Sequence, residues 1–252
     1  MTPQKGEIFI GTSGWVYAHW KGVFYPQTIA ANRMLAAYAN QFRTTEINSS
    51  FYRLPSPQAL LHWLHATPPD FIFAVKASRY ITHMKKLGEP EITLAPLLDR
   101  IRLLGNRLGP VLFQLPPRWH CNERRLAAFL ACLPAGFRYT FEFRDQSWLN
   151  QRIFSLLAAH NAALCLYEWG GVLSPREVTA DFLYVRLHGP GGPYRGSYNR
   201  DTLGAWAKFL ARWAKMGKNV YCYFDNDEQG YAAFNARSLQ EMVTGELRNQ
   251  RR

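Results

Sequence analysis

The sequence predicts an α/β fold, a closed (β/α)8 barrel of the TIM type with parallel strands and outer helices. Eight short apolar runs alternate with segments whose apolar residues recur at helical spacing. Such alternation requires parallel strands with crossover connections, and nearly continuous apolar runs are typical of strands covered on both faces. The length of 252 residues agrees with the ~250 residues typical of this barrel. One domain over residues 1–252 is therefore expected, with a short basic tail from about residue 245.

The predicted elements follow one another in a regular order. The strands cover residues 8–11, 44–48, 71–76, 111–115, 138–143, 163–167, 182–188 and 220–225. Most are followed by a helical pattern, namely ANRMLAAYANQF, PQALLHWLHA, LAPLLDRIRLLGNRL, NERRLAAFLACL, QRIFSLLAAH, DTLGAWAKFLARWAKM and ARSLQEMV. Asn122 and Asp201 are predicted to cap two of these helices. The connection EWGGVLSPREVTA after the sixth strand is too short and broken for a full helix, so a loop or a single turn is expected there.

An open doubly wound sheet is the alternative architecture. Its dinucleotide-binding version requires a GxGxxG turn after the first strand, whereas this sequence has GTSGWV there. The closed barrel is therefore preferred. In such a barrel the loops that leave the C-terminal ends of the strands build the active face, so polar residues at strand ends are the first candidates for function.

The composition favours an anionic partner. The formal charge of +12 and the isoelectric point near 9.7 suit an anionic small molecule or nucleic acid. The basic residues are scattered rather than arranged in one stripe, and solubility alone explains such scatter. No apolar stretch reaches the ~20 residues that cross a bilayer, and the N-terminus lacks a secretory signal. We expect a cytoplasmic protein without membrane contact, whose four cysteines are reduced.

Six of the apolar runs carry a polar or charged residue near their downstream end. These residues are Glu46, Lys76, Gln114, Glu142, Arg186 and Asp225. Because side chains in a strand alternate between faces, the same faces also carry Asn48, Arg144 and His188. The pattern predicts a ring of polar groups at one end of the barrel. Isolated buried charges cost several kcal/mol each, so this ring is either a wet or ligand-bound site or a self-satisfied network of ion pairs.

Aromatic residues in the loops after the strands are candidate stacking surfaces. The ring-bearing residues assigned to ligand binding are Trp15, Tyr17, Trp148 and Tyr194. Loop rings stack on sugars or bases, or simply pack the loop down, and both interpretations stay open. The glycine-rich loop HGPGGPYRGSYNR is in addition a candidate phosphate site, over which Arg195 could close.

Glu142 is the first candidate for acid–base chemistry. It is an inward carboxylate in an aromatic-rich strand, where burial and the neighbouring Arg144 act on it in opposite directions. His188 is the second candidate because an imidazole titrates close to neutrality, and Glu46 completes the predicted catalytic set. A serine elbow of the GxSxG type is absent from the sequence, which disfavours covalent catalysis.

The same strand ends offer a possible set of metal ligands. The candidate ligands are Glu46, Glu142, His188 and Asp225, a set that suits Mg or Mn better than Zn. The nearby cations Lys76, Arg144 and Arg186 neutralise these carboxylates without a metal. A divalent metal is therefore possible but not favoured, and no other cofactor is indicated.

Several short motifs together resemble one known family. They are GTSGW, FYP, EINSSFY, ITH, QLPP, EFR with SW, RLHG and FNA, in this order over nearly the whole chain. The sequence is similar to the YecE-like family, also called domain of unknown function seventy-two. The resemblance implies a TIM-type barrel in a cytosolic bacterial or archaeal protein, and it adds His83 of the ITH motif as a ligand-binding candidate. This chain has FDND where the family more often resembles FNND, which puts an essential acid role for Asp225 in doubt.

Three functions follow as hypotheses. The first is an enzyme that acts on a phosphorylated or nucleotide-like anionic ligand by acid–base chemistry, possibly a phosphoester hydrolase, with Lys76, Arg144 and Arg186 holding the anion. The second is a nucleic-acid-binding protein without catalysis. The third is a carbohydrate hydrolase with paired carboxylates, which the surplus of positive charge does not favour.

Overall fold

The computed structural model describes residues 5–248, in which nine strands occur. They are β1 (Ile8–Thr12), β2 (Thr44–Ile47), β3 (Ile72–Lys76), β4 (Leu108–Gln114), β5 (Tyr139–Glu142), β6 (Ala163–Trp169), β7 (Val172–Leu173), β8 (Phe182–Leu187) and β9 (Asn219–Phe224). All except β7 coincide with a predicted strand, and the boundaries differ by at most three residues. The prediction succeeds because each run is nearly continuously apolar and buried on both faces.

Eight α-helices lie between or after the strands in the described part of the chain. They are α1 (Met34–Ala39), α2 (Pro57–Ala66), α3 (Pro90–Thr93), α4 (Ala95–Ile101), α5 (Glu123–Ala131), α6 (Gln151–Ala159), α7 (Arg200–Lys215) and α8 (Tyr231–Arg248). Shorter 3-10 segments occur at Ala18–Trp20, Ser49–Phe51 and Gln146–Trp148, and a π-helical turn occurs at Tyr80–Met84. Helices therefore alternate with strands as predicted.

The strands form one sheet in the order β1-β9-β8-β6-β5-β4-β3-β2, and β7 pairs only with β6. The fold is a nearly closed barrel of eight parallel strands with surrounding helices, which confirms the predicted α/β barrel. The connection after the sixth strand is irregular, as predicted, but it also contains β7, which pairs antiparallel with the end of β6. Sequence periodicity does not reveal β7 because it has only two residues, both of them exposed.

The barrel seam lies between β1 and β2, where the ladder of hydrogen bonds is not closed. Tyr38 of α1 fills the gap, since its hydroxyl accepts a bond from the Thr12 backbone at 2.8 Å and donates one to the Thr44 carbonyl at 3.0 Å. Gly11 permits this close approach, because a Cβ there would lie 2.2 Å from the Thr44 oxygen. A side chain thus replaces the missing backbone pairs.

The chain divides into two compact units. The first contains Met1–Thr45, Leu166–Ser174 and Phe182–Arg252, and the second contains Glu46–Cys165 and Pro175–Asp181. Two of the four boundaries fall within strands, one inside β2 and one inside β6. Each unit has its own buried side chains, with Trp20 and Trp206 in the first and Phe113 and Trp148 in the second.

Helix caps agree with the sequence at one of the two predicted positions. Asn122 caps α5, since its side chain accepts a bond from the backbone of Arg125 at 2.9 Å. The prediction for Asp201 is wrong, because Asn199 caps α7 and Asp201 lies in the first turn. An acid in the first turn is stabilised by the helix dipole without being the cap.

The C-terminal segment is helical as far as the structure describes it. The basic tail predicted from about residue 245 overlaps the last turn of α8, and residues 249–252 lie outside the described residues. Among residues 5–248, no helix is both long enough and apolar enough to span a membrane.

Candidate functional site

The first unit contains a cavity of about 430 Å³ at the C-terminal ends of neighbouring strands. Its lining residues come from the loops after β1, β8 and β9, and they are Tyr17, Pro193, Tyr194, Arg195, Asp225, Asp227 and Glu228. Three of the seven are carboxylates and one is a guanidinium. This cavity is therefore acidic, although the chain as a whole is strongly basic.

Asp225 enters the cavity as the anion of a buried ion pair. Arg186 donates from Nη2 to Asp225 Oδ2 at 3.0 Å and to Ser13 Oγ at 3.2 Å. The Nδ1 atom of His188 lies 3.1 Å from the same Oδ2. Because Arg186 and His188 are fully buried, a carboxylate beside them offsets much of the cost of burying the guanidinium charge. The structure thus brings together three of the predicted site residues.

Asp227 is a second carboxylate at the same cavity, in a different environment. Trp20 donates from Nε1 to Asp227 Oδ1 at 2.5 Å, and His19 Nε2 lies 3.0 Å from Oδ2. Burial raises the pKa of Asp227 to about 6, and the charge of Asp225 adds to the rise, although the Trp20 bond and His19 oppose it. A carboxyl group with this pKa exchanges its proton close to neutral pH.

Sequence reasoning did not identify Asp227 as a site residue. It follows Asp225 by two positions, so the alternation along β9 would place it on the same face if it continued beyond the strand. The FDND motif contains both aspartates, but the alternation of side chains applies only within a strand, and β9 ends at Phe224.

The loop after β8 is fixed around His188. Tyr194, in a left-handed conformation with φ of 63°, donates from its backbone N–H to the His188 carbonyl at 2.7 Å. The ring of Trp169 lies 5.0 Å from the imidazole of His188 and 5.3 Å from the ring of Tyr194. Gly189 has a φ of 112°, and a Cβ there would lie 2.2 Å from the Arg195 oxygen. The glycine-rich loop is therefore closely packed, and His188 lies behind its aromatic rings.

Of the predicted stacking residues in the first unit, Tyr17 and Tyr194 line the cavity. Tyr194 is 44% exposed, and its ring also contacts Trp169 and His188. Trp15 is buried, and its carbonyl accepts a hydrogen bond from the Tyr25 hydroxyl at 2.8 Å. The contacts of Trp15 are those of a packing residue.

The second unit contains a separate set of predicted residues around Glu142. This carboxylate is fully buried and forms an ion pair with Arg144. Glu142 is paired in register with Gln114 of β4, and the thiol of Cys165 lies 3.9 Å from its Oε2 atom. The oxygen atoms Gln114 Oε1 and Thr140 Oγ1 on the same strand face are buried without a protein hydrogen-bond partner. The predicted inward face of β5 is thus polar and tightly enclosed.

Lys76 and His83 meet at an aromatic ring of the second unit. Lys76 Nζ lies 4.5 Å from the centroid of Phe51, and the imidazole of His83 lies 4.9 Å from the same ring. Burial lowers the pKa of His83, and the positive charges of Lys76 and Arg79 lower it further. His83, which the family resemblance added, is therefore a neutral imidazole in a positive environment.

The other predicted residues of the second unit are mostly buried. Glu46 of β2 is fully buried, and Asn48 Oδ1 has no protein partner. Trp148 is fully buried, stacks on Phe143 at 5.0 Å and donates from Nε1 to the Trp119 carbonyl at 2.6 Å. Its contacts are those of a core residue, and stacking on a ligand stays a prediction for Trp148.

Metal binding has no geometric support among residues 5–248, where no group of three or more His, Cys, Asp or Glu side chains is arranged to hold an ion. In the first unit Arg186 neutralises Asp225, and in the second Arg144 neutralises Glu142. Two of the three carboxylates predicted as ligands thus have guanidinium partners.

Comparison with known proteins identifies relatives along almost the whole chain. The family described as "Protein of unknown function DUF72" matches residues 9–252. The UPF0759 protein YunF of Bacillus subtilis is 26% identical, over 94% of this chain and 94% of that protein. The UPF0759 protein YecE of Escherichia coli K12 is 31% identical over 54% of this chain and 48% of its own length. These matches confirm the resemblance seen in the motifs.

Solved structures support the same assignment. A DUF72 family protein from Thermotoga maritima has a TM-score of 0.86 and 27% identity, over 94% of this chain and 99% of that one. A DUF72 family protein from Enterococcus faecalis has a TM-score of 0.80 and 18% identity, over 94% of this chain and 95% of that one, and shows the fold alone.

Proposed function

Because the chain belongs to the DUF72 family, whose description assigns no reaction, we propose a function from the geometry of the first unit. The chain is an enzyme that uses acid–base chemistry, and Asp225 and Asp227 carry it. One observation supports this proposal above the others: two carboxylates line the same cavity in contrasting environments. Environments that separate the behaviour of neighbouring titratable groups are typical of acid–base sites.

The two carboxylates have different roles in this proposal. Asp225 is held by Arg186 and His188 and supplies a fixed negative charge. Asp227, with a pKa of about 6, gives a proton to a leaving oxygen when protonated and takes one from water when ionised. His188 is a positioning residue, because it contacts Asp225 from behind the aromatic rings of the loop.

The lining of the cavity favours a ligand rich in hydroxyl groups. Carboxylate oxygens accept hydrogen bonds from hydroxyl and N–H groups, and the rings of Tyr17 and Tyr194 offer flat surfaces. A sugar or nucleoside fits this combination. The phosphate of a phosphorylated or nucleotide-like ligand is repelled by Asp225, Asp227 and Glu228, and would need to lie towards Arg195.

Hydrolysis is the reaction class that this pair supports best. With a glycoside, protonated Asp227 gives its proton to the leaving oxygen as the bond from that oxygen to carbon breaks, and the negative charge of Asp225 stabilises the cation that remains. Water then bonds to this carbon, and the ionised Asp227 takes the proton that the water loses. A paired-carboxylate carbohydrate hydrolase is the second candidate. The surplus of carboxylates in the cavity favours it, whereas the sequence predicts a surplus of positive charge in the barrel mouth, which does not.

The test is a turnover screen with nitrophenyl phosphates, nucleotides and nitrophenyl glycosides between pH 4 and 9. Asp227→Asn should lower kcat by about 10²–10⁴-fold, the usual contribution of a positioned acid or base. Wild-type activity should change with an apparent pKa near 6. Glu241→Gln, at an exposed carboxylate of α8 that does not line the cavity, is the control and should retain the activity.

Two results would overturn the assignment. Full activity of Asp227→Asn on a substrate that the wild type turns over excludes Asp227 as the acid or base. A loss confined to Glu142→Gln, with a folded protein, would instead support the sequence-based choice of Glu142.

A further inference from the structure

We propose that the surface formed by residues 79–86 together with Tyr52, in the second unit, binds single-stranded nucleic acid. This surface, named here the basic–aromatic surface, combines exposed rings with cations on one short segment. The proposal is independent of the reaction at Asp225 and Asp227. It concerns an interaction surface rather than a catalytic group.

The aromatic part of this surface is unusually exposed. Tyr52 is 74% exposed and Tyr80 is 43% exposed, and the apolar side chain of Met84 is 64% exposed. Exposed tyrosine rings offer flat surfaces on which unstacked bases bind. Tyr52 contacts Phe51 edge-on and still remains largely exposed, so its ring can be reached from solvent.

The cationic part is interleaved with the rings. Lys85 Nζ lies 5.8 Å from the ring centroid of Tyr80, and Lys86 Nζ lies 6.0 Å from that of Trp119. Arg79 is exposed at the start of the segment. Glu89 is the acid that faces these cations, and it bonds Lys85 Nζ at 2.8 Å. Three cations against one acid leave the surface positive.

A half-buried neighbour, His83, lies in the same positive environment. Phe51 connects the parts, because its ring lies 5.0 Å from Tyr52, 4.9 Å from His83 and 4.5 Å from Lys76 Nζ. The pKa of His83 is lowered by burial and then by the charges of Lys76 and Arg79. Tyr52 therefore lies at the edge of a region where an anion is favoured.

The backbone holds this arrangement in a strained conformation. The π-helical turn Tyr80–Met84 is followed by left-handed residues at Lys86, Leu87 and Glu89, with φ of 48°, 61° and 53°. Leu87 is buried, and its N–H donates to the Ile81 carbonyl at 2.9 Å, which fixes the strained turn. Such strain in non-glycine residues persists where the surroundings impose it, and it concentrates at functional sites.

Single-stranded nucleic acid fits these features better than other anionic partners. Its phosphates pair with cations, and its unstacked bases stack on rings without regard to sequence. Duplex DNA hides its bases from such rings, and an acidic protein uses the charges alone. Because rings and cations alternate on this surface, single-stranded nucleic acid is favoured over duplex DNA and over an acidic protein.

The test is fluorescence anisotropy with a 5′-labelled 15-residue oligothymidylate between 50 and 200 mM NaCl. Wild-type binding should weaken as salt rises, with a log–log slope of about −0.7 for each phosphate neutralised. Arg79→Glu/Lys86→Glu should reduce affinity at least tenfold and flatten the slope. Tyr52→Ala/Tyr80→Ala should reduce affinity about tenfold at an unchanged slope, because stacking is not ionic.

A matched control uses two exposed cations on α7, in the first unit. Lys208→Glu/Arg212→Glu makes the same change in charge and should reduce affinity much less than Arg79→Glu/Lys86→Glu. All variants are compared by thermal unfolding, so that a loss of fold is recognised.

Three outcomes would overturn the proposal. They are the absence of saturable wild-type binding at 50 mM NaCl, an equal loss in the α7 control, and unchanged affinity of Tyr52→Ala/Tyr80→Ala with equal binding of a duplex. Small-substrate turnover should be unchanged in the Arg79→Glu/Lys86→Glu variant. A failure here is therefore distinct from a failure of the proposed reaction.

Discussion

Two buried carboxylates, Asp225 in the first unit and Glu142 in the second, differ in what each faces. Asp225 has an arginine on one side and a cavity on the other, whereas Glu142 is fully enclosed with Arg144 and Cys165 as neighbours. Both carry a guanidinium partner, so ion pairing does not distinguish them. Access to a cavity does.

A second difference is the presence of an adjacent titrating group. Asp227 lies beside the paired Asp225, and its pKa of about 6 results from burial that hydrogen bonds only partly offset. Glu142 has an amide and a thiol nearby but, among its described contacts, no second carboxylate. The two ion pairs thus differ in that only Asp225 has a neighbouring carboxyl group, Asp227, among its described contacts with a pKa near neutrality.

The largest expected effect is on folding, from Glu142→Gln. The substitution leaves the buried Arg144 without its charge partner, and removal of one member of a buried pair costs about 3–5 kcal/mol. Chemical denaturation measures the free energy of unfolding directly. The control is Asp99→Asn, which breaks the exposed Asp99–Arg102 pair and should cost less than about 1 kcal/mol. Equal, small losses in both variants would show that Glu142 is not structurally paired in solution.

The next effect is a pH dependence of stability that Asp227 contributes. Its pKa is raised in the folded state from 3.8 to about 6, so the folded state binds the proton more tightly than the unfolded state. The stabilisation is complete below about pH 4 and is lost as pH rises through 6. The Tm of the wild type relative to Asp227→Asn should therefore increase from pH 7 to pH 4.

Asp145 provides the opposite sign as a control. Hydrogen bonds from Ser147 hold the pKa of Asp145 below its usual value of 3.8. Its stabilisation is present above that value and is lost as pH falls further, so Asp145→Asn should converge with the wild type only under more acidic conditions. If the stability difference from the wild type changed in the same direction with pH for Asp227→Asn and Asp145→Asn, the opposite pKa shifts of these two aspartates would be contradicted.

His19→Ala should produce a smaller effect, on the pKa of Asp227 alone. The imidazole lies 3.0 Å from the carboxylate and lowers its pKa, and its own side chain is 45% exposed. Its removal should raise the pKa of Asp227 by about 0.2–0.7, which corresponds to an exposed ion pair of about 0.2–1 kcal/mol. The pH dependence of Tm reports the shift, and a decrease would show that His19 acts in another way.

Asp225→Asn should shift the same group in the opposite direction. The charge of Asp225 raises the pKa of Asp227, so an amide at position 225 should lower it. The amide oxygen can still accept bonds from Arg186 and His188. NMR titration of the carboxyl carbons measures the direction of this pKa shift. An unchanged pKa of Asp227 would show that the charge of Asp225 does not act on it.

Much of the fold could be predicted from the sequence because the strands are apolar on both faces and the helices alternate with them. The two exposed residues of β7 carry no such pattern, and the cap at Asn199 competes with an equally plausible Asp201. Strand parity grouped Arg186 with His188 on one face of β8, and in the structure both contact Asp225. It could not reach Asp227, which lies in a loop.

The basic–aromatic surface could not be predicted from the periodicity of the sequence either. A π-helical turn followed by three left-handed residues has no regular spacing, so Tyr80 and Lys86 show no pattern along the chain. The formal charge of +12 indicated an anionic partner but not its place. Local backbone conformation, which the tertiary contacts of Leu87 impose, determines which basic residues share a surface.

The most direct test of the acid–base account is the pKa of Asp227, measured by ¹³C NMR titration of the aspartate carboxyl carbons, with Asp227→Asn to assign the signal. The account predicts one carboxyl group that titrates near pH 6 and disappears in this variant. A value at or below the ordinary 3.8 of an aspartate would contradict it.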